Sequence, residues 1–238
     1  MFHDWIKARV AGLSFVDIGG IGEWSTNETV STALEAGAAR AAMADIEGFD
    51  SPFWPHFHQR LAGRGIGRER YESYDRVDVV AGDLTSRLPV FDMVHSTGIL
   101  YHLSDPARAV WNLRRVTGRW LVTNTVTIPE RIENEAGSLE TRGSTALFLP
   151  GIDERERAVL RLHYQQKFGW DLNMMAPRAD DGAAIMPYYL ASGPSPWPYW
   201  FLFTQAGFLG LLRAAGFAVR EQYTWEEHAH FVLCEKLG

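Results

Sequence analysis

Three aspartates and one cluster of glycines carry the chemistry that is legible in this sequence. Asp17 closes a short apolar run, Gly19, Gly20 and Gly22 follow at once, and Asp45 and Asp83 end two later runs. Glycine lets the backbone press against a ligand, because a Cβ would hold the ligand off or forbid the positive φ of a tight turn. In open α/β sheets small molecules sit outside the carboxyl ends of the strands. A carboxylate at the second strand end can accept from both hydroxyls of a ribose, and one at the third from the exocyclic amine of an adenine. Asp17 is placed either to favour an ammonium or to fix the glycine loop. A pyrophosphate site has no use for an acid there. A ligand with an ammonium and a sulfonium does. Each acid alone is weak, since turns often carry aspartate; three in register with a glycine loop are not.

The elements that must position these residues alternate between strand-like and helix-like patterns, as in βαβ units with a parallel sheet. Strands are expected at 15–18, 39–44, 76–80, 90–95 and 120–126, the third ending at Gly82-Asp83. Helices are expected at 24–38, within 52–61, and from Asp105-Pro106, where aspartate caps and proline suits the first turn. Ala109, Val110, Leu113 and Val116 give that last helix its buried face, with Gly118 as its stop. The rhythm breaks at Pro129, and one helix at 153–168 stands in a stretch rich in Gly, Pro and aromatics. Such a length is not plain loop in a compact domain. We read 129–199 as an inserted cap over the ligand-binding edge, with 1–128 and 200–238 forming the main domain. Thr204 then caps a helix that Gly216 stops, and 217–223 and 230–235 form a closing antiparallel pair. The fold class is therefore α/β, doubly wound.

Here the chain resembles the class I S-adenosylmethionine-dependent methyltransferases. The resemblance rests on Phe15-Val16-Asp17-Ile18-Gly19-Gly20-Ile21-Gly22, on Asp45, on Gly82-Asp83-Leu84, and on the run from Phe91 through Gly98-Ile99-Leu100-Tyr101-His102-Leu103, and covers 14–128 and 200–236. It implies a seven-stranded, mostly parallel sheet with the last strand antiparallel, and S-adenosyl-L-methionine as cofactor. It further implies that Asp17, Gly19, Gly20 and Gly22 hold the methionine end, Asp45 the ribose, and Asp83 with Leu84 the adenine, while Ser96 and Thr97 line the sulfonium. The loop departs from the family in carrying Glu23 where glycine is usual.

His102 and Tyr101 follow the fourth strand beside the expected methyl group. They are the candidates to face an acceptor, His102 as a general base and Tyr101 as a wall, since an ordinary phenol titrates near 10. The aromatic stretch 186–200 either packs the cap or walls the acceptor. His56 and His58 could be two metal ligands on one strand face, but no third stands near, so no metal is expected. Asp180-Asp181-Gly182 reads as a turn, and His228 and His230 as structural.

Composition bounds the partners. The 238 residues carry a net charge of −6, which disfavours binding nucleic acid by phosphate neutralisation. Arg60, Arg64, Arg68, Arg70 and Arg76 are diluted by acids into a solvated face. The single cysteine, Cys234, excludes an intrachain disulfide and reads as core. No secretory signal or membrane span is apparent, so a cytoplasmic place and a small-molecule acceptor are expected; a homo-oligomer is compatible. Two other readings stay open: a nicotinamide-dependent oxidoreductase, opposed by Ser25 at the third glycine position and by Asp17, and a non-catalytic binding subunit with this fold.

Overall fold

A computed structural model describes residues 2–22, 28–169, 175 and 198–238. Its main sheet is built from β1 (Ser14–Ile18), β2 (Arg40–Ala44), β3 (Glu72–Tyr74), β4 (Phe91–Ser96), β5 (Thr117–Val126), and two late strands, β10 (Phe217–Trp225) and β11 (Ala229–Lys236). The seven strands lie in the order β10-β11-β5-β4-β1-β2-β3. β11 runs antiparallel to both β5 and β10, and the β1, β2, β3, β4 and β5 pairings are parallel.

Strand side chains alternate between faces, and both faces are buried, which is why the parallel strands read as continuous apolar runs. Val16, Ile18, Val94 and Leu121 face α4 (Pro106–Val116) and α6 (Gln205–Ala214). Phe15, Met93, Val122 and Leu233 face α1 (Phe2–Lys7) and α2 (Val30–Glu35). Ala41 and Met43 pack under α3 (Phe53–Gly63) through Trp54, Phe57 and Leu61. Each of the valine, leucine, isoleucine, phenylalanine and methionine side chains contributes about 1.5–3 kcal/mol when fully buried. Cys234 lies wholly inside, its thiol pushed up to about 12 by burial.

Local chemistry sets the helix ends. Asp105 accepts from the Arg108 N–H at 2.9 Å, with Pro106 at the first turn. Thr204 accepts from the Gly207 N–H, and Gly216 takes φ 84° beyond α6. α2 is shorter than the helix expected over 24–38. Glu28 accepts from the Ser31 N–H and hydroxyl, so the helix begins at Val30, and Gly37 at φ 88° turns the chain away. Residues 24–27 lie outside the described residues.

Two further expectations are corrected. The third strand is Glu72–Tyr74, paired with Ala42–Ala44, and 76–80 is not a strand. Arg76 adopts φ 52°, which ends the extended run, and the Val77 N–H then turns back to the Asp45 carbonyl at 2.8 Å. Val77 and Val79 are apolar because they pack the core, not because they pair. Gly118 does not stop α4. That helix closes at Val116, where the Thr117 hydroxyl donates to the Leu113 carbonyl, and Gly118 lies within β5.

The segment after β5 forms a hairpin of β6 (Arg131–Asn134) and β7 (Gly137–Glu140), then β8 (Ala146–Phe148) and α5 (Glu154–Phe168). β8 pairs with β9 (Phe201–Phe203), and a capping box of Asp153 and Glu156 opens α5. A second core of Val126, Ile128, Leu149, Leu160, Tyr164 and Leu202 joins these elements to the carboxyl end of β5.

A Cβ on Gly118 would lie 3.1 Å from both the Asp92 Cα and the Phe91 carbonyl oxygen. Backbone of a neighbouring strand yields little, so Gly118→Ala is expected to destabilise by about 1–3 kcal/mol in urea unfolding. An unchanged midpoint would show that β4 and β5 can part there freely.

Candidate functional site at the carboxyl edge of the sheet

Asp17 leaves β1 on the face that carries α2, directly opposite His95 of β4 in the strand register. Its side chain is 1 % exposed. Oδ2 accepts from the Thr29 N–H at 2.7 Å and the Thr29 hydroxyl at 2.9 Å, and Oδ1 meets His95 Nδ1 at 2.8 Å. Its described partners are therefore Thr29, just ahead of α2, and His95 on β4. A Cβ on Gly20 would fall 2.7 Å from Asp17 Oδ2, and one on Gly19 2.8 Å from Ile99 Cγ2. Gly19 also takes φ 88°. Glycine is thus demanded on both counts, and a Cβ on Gly22 would meet open space.

Asp45 follows β2 directly and is 6 % exposed. Its carboxylate accepts from the Glu47 N–H at 3.1 Å and the Ile21 N–H at 3.4 Å. Burial pushes its pKa up to about 6, against the opposing pull of those two N–H groups. The loop after it borders a cavity of about 390 Å³ lined by Ile46, Glu47, Gly48, Pro52 and Arg76, among others.

Asp83 is not at a strand end, because β3 stops at Tyr74. It caps a short 3₁₀ turn, Leu84–Ser86, and lies exposed. Oδ1 accepts from the Thr85 N–H and hydroxyl and from Arg115 at 2.7 Å, and these donors hold its carboxyl below the usual range. Leu84 is buried in the main core.

At the end of β4, Ser96 is wholly buried and its hydroxyl has no hydrogen-bond partner among the described residues. The hydroxyl of Thr123, its register partner on β5, has none either. Thr97 Oγ1 lies 3.2 Å from His95 Nε2. The Gly98 N–H donates to Asn124 Oδ1 at 2.7 Å, holding the loop at φ 79°. The next turn, Leu100–His102, meets the returning chain. The Trp200 N–H donates to the Tyr101 carbonyl, and His102 Nδ1 lies 3.2 Å from the Pro198 carbonyl. The Tyr101 ring stacks on Tyr199 at 5.0 Å, and burial raises both phenols, Tyr199 to about 12.

Sequence reasoning missed His95, Thr29 and Asn124. His95 sat in an apolar run and read as strand filler; its register opposite Asp17 was the signal. His56 and His58 lie on α3, two residues apart on a helix and so on different faces, which corrects their reading as a strand pair. His58 meets the Tyr71 hydroxyl at 2.8 Å. No group of three metal-binding side chains exists among the described residues. His230 is engaged by Thr224 and Gln222. Arg60 and Arg64 pair with Glu28 and Glu35, and Arg76 with Asp50 and Asp75. Asp180-Asp181-Gly182, Glu23, Ser25 and 186–197 of the aromatic stretch lie outside the described residues.

No protein-family model matches the chain, and no curated protein matches it. Among solved structures it is similar to the magnesium protoporphyrin IX methyltransferase of Synechocystis PCC 6803 with bound SAH. Identity is 15 % over 99 % of this chain and 80 % of that one, with a TM-score of 0.55. It is similar also to an S-adenosylmethionine-dependent methyltransferase from Mesorhizobium loti, at 18 % identity over 98 % and 96 % of the two chains and a TM-score of 0.53. A third is the 1,6-didemethyltoxoflavin-N1-methyltransferase of Burkholderia thailandensis, with its acceptor and S-adenosylhomocysteine bound, at 14 %, 99 %, 78 % and 0.51. The chain has the class I methyltransferase fold. In that fold Asp17, Asp45 and the loops after β1 and β4 share the carboxyl edge. Among the described residues no helix is long and apolar enough to cross a membrane.

Asp45 yields a test of the site's electrostatics. Its folded pKa, about 6, lies above the ordinary carboxyl value of about 3.9. Its stabilising contribution is therefore full below pH ~4 and lost as pH rises through ~6. Asp45→Asn should raise stability at pH 7.5 by up to about 3 kcal/mol, shrinking toward pH 4. Thermal unfolding across that range checks it; a gain independent of pH would remove the desolvated charge as its cause.

Proposed function

We propose that this chain is an S-adenosylmethionine-dependent methyltransferase acting on a small, aromatic or glycosylated acceptor. The observation that carries the reading is the buried Asp45 carboxylate at the end of β2, facing the loop whose Gly19 and Gly20 admit no side chain. A desolvated carboxylate with two backbone donors among the described residues, one of them at 3.4 Å, has acceptor capacity to spare for a pair of ribose hydroxyls. These residues fit the cofactor. When bound, it supplies an electrophilic methyl group on a sulfonium.

In this reading Asp17 acts through the loop. It holds Gly19, Gly20 and Gly22 where their backbone meets the methionine end. Asp45 takes the ribose. Asp83 meets the adenine amine through Oδ2, with Leu84 packed beneath. Ser96 and Thr97 line the sulfonium side, where the Ser96 hydroxyl, without a partner among the described residues, supports a polar contact. Tyr101 and His102 face the acceptor. The anchoring of both to 198–200 supports a main domain of 1–128 and 200–238 and a cap of 129–199 that helps to shape the acceptor's surroundings. Most of the rate would come from positioning, for which well-oriented reactants gain roughly 7–11 kcal/mol. A cytoplasmic site of action is part of the proposal.

The oxidoreductase reading is disfavoured because a buried carboxylate at Asp17 opposes a pyrophosphate on the same loop. Calorimetric titration with S-adenosylmethionine and with a nicotinamide dinucleotide decides between them, and preference for the dinucleotide overturns the proposal. Asp45→Ala is expected to weaken S-adenosylmethionine binding at least tenfold with the fold retained by circular dichroism; unchanged affinity removes Asp45 from the site. His102→Ala is expected to lower kcat more than cofactor affinity, and wild-type turnover would reject its acceptor-facing role.

A further inference from the structure

Asp17, His95 and Thr97 form a continuous hydrogen-bonded row from the interior to the carboxyl edge of the sheet. Asp17 Oδ1 to His95 Nδ1 measures 2.8 Å, and His95 Nε2 to Thr97 Oγ1 3.2 Å. Asp17 and His95 are each 1 % exposed and Thr97 9 %, so only the outer end of the row reaches the edge. The proton positions along it follow from valence. A carboxylate can only accept, so His95 Nδ1 carries the ring proton. With the ring neutral, as the relay requires, Nε2 accepts and the Thr97 hydroxyl donates inward to it. Its only proton thus spent, Thr97 offers lone pairs alone to anything seated beyond the end of β4.

We infer that the Asp17–His95–Thr97 row is a proton relay that makes Thr97 Oγ1 the base for a protic acceptor, a hydroxyl or an amine. This rests on the cofactor reading above and narrows its acceptor. The acceptor's O–H or N–H proton passes to Thr97 Oγ1 as the Thr97 hydroxyl proton passes to His95 Nε2. The freed pair on the acceptor atom forms the new bond to the methyl carbon, and the pair of the broken carbon–sulfur bond stays on sulfur. The imidazolium so formed is paired with the Asp17 carboxylate, which Thr29 holds from its other side. After the product leaves, the proton returns outward by the same route. Thr97 takes the acceptor's proton, beside the Tyr101 and His102 that face the acceptor; His95 and Asp17 are positioning residues that act through Thr97.

The surroundings of His95 keep the row isolated. From α1 the Phe2 ring stacks on it at 5.5 Å, and that helix also carries the titratable His3, Asp4 and Lys7, the His3 pKa being lowered by burial first and then by His95. From β5 the register partner is Val122, and Phe231 of β11 stacks on Phe2. Asp17 is the only acid in the row.

Two measurements test the relay. In protein labelled with nitrogen-15 at histidine, the signals lost in His95→Gln identify His95. The wild type is expected to show the Nδ1–H tautomer without any cofactor present, and Thr97→Val should shift the Nε2 resonance alone. A proton on Nε2 overturns the inference, because Thr97 would then be free to donate outward. In turnover with S-adenosylmethionine, phenol, aniline, thiophenol and indole serve as probes that differ in the reacting atom. Methylation of phenol or aniline is expected, with kcat reduced about 10²–10⁴-fold in Thr97→Val. The acidic limb of the kcat profile should be lost, and Thr97→Ser should restore most of the rate. Methylation of thiophenol or indole alone, of none of the four, or an unaltered kcat in Thr97→Val overturns it. Failure of the cofactor reading shows separately, as absent S-adenosylhomocysteine binding in the wild type.

Discussion

The buried carboxylate of Asp17 is the constraint around which the edge of this sheet is organised. An ionised group withdrawn from water is tolerated only when its oxygens are met by donors. Here they are met from two directions, by the Thr29 N–H and hydroxyl ahead of α2 and by His95 across the strand pair. Removing either partner would leave a charge without compensation. β1 is thus tied by polar contacts to the start of α2 and to β4, and the closeness of the Asp17 carboxylate is what excludes a Cβ at Gly20.

Asp45 shows the complementary case. Its burial is similar, yet its donors are two backbone N–H groups, one of them distant, and its pKa rises accordingly. Unspent acceptor capacity in a desolvated place is a standing strain on the fold, and such strain gathers where ligands bind. The hydroxyls of Ser96 and Thr123, register partners on β4 and β5 without a hydrogen-bond partner among the described residues, belong to the same pattern. One stretch of sheet edge is polar, buried and incompletely satisfied.

The doubly wound pattern was legible because it rests on local rules. Apolar runs of strand length, Asp105-Pro106 at a helix start, Thr204 before α6 and the glycines at 216 and 37 each act within a few residues of themselves. The errors arose where one residue type serves two purposes. Val77 and Val79 are as apolar as a strand requires, but Arg76 in a left-handed conformation takes them out of the ladder and into the core. Gly118 looks like a helix stop, whereas its missing Cβ is needed against Asp92 and Phe91.

Alternation and capping thus determined by themselves that this chain would form an α/β sheet with acids near its carboxyl edge, since backbone geometry and burial act on neighbours in the chain. What those acids touch was decided only by strand register. Asp17 faces His95 because β1 and β4 lie side by side although the partners stand 78 positions apart in the chain, and Asp83 falls to Arg115 because the chain leaves the sheet before reaching it. Hydrogen bonds are short-ranged and directional, so the role of each carboxylate is fixed by groups that approach it from distant parts of the sequence.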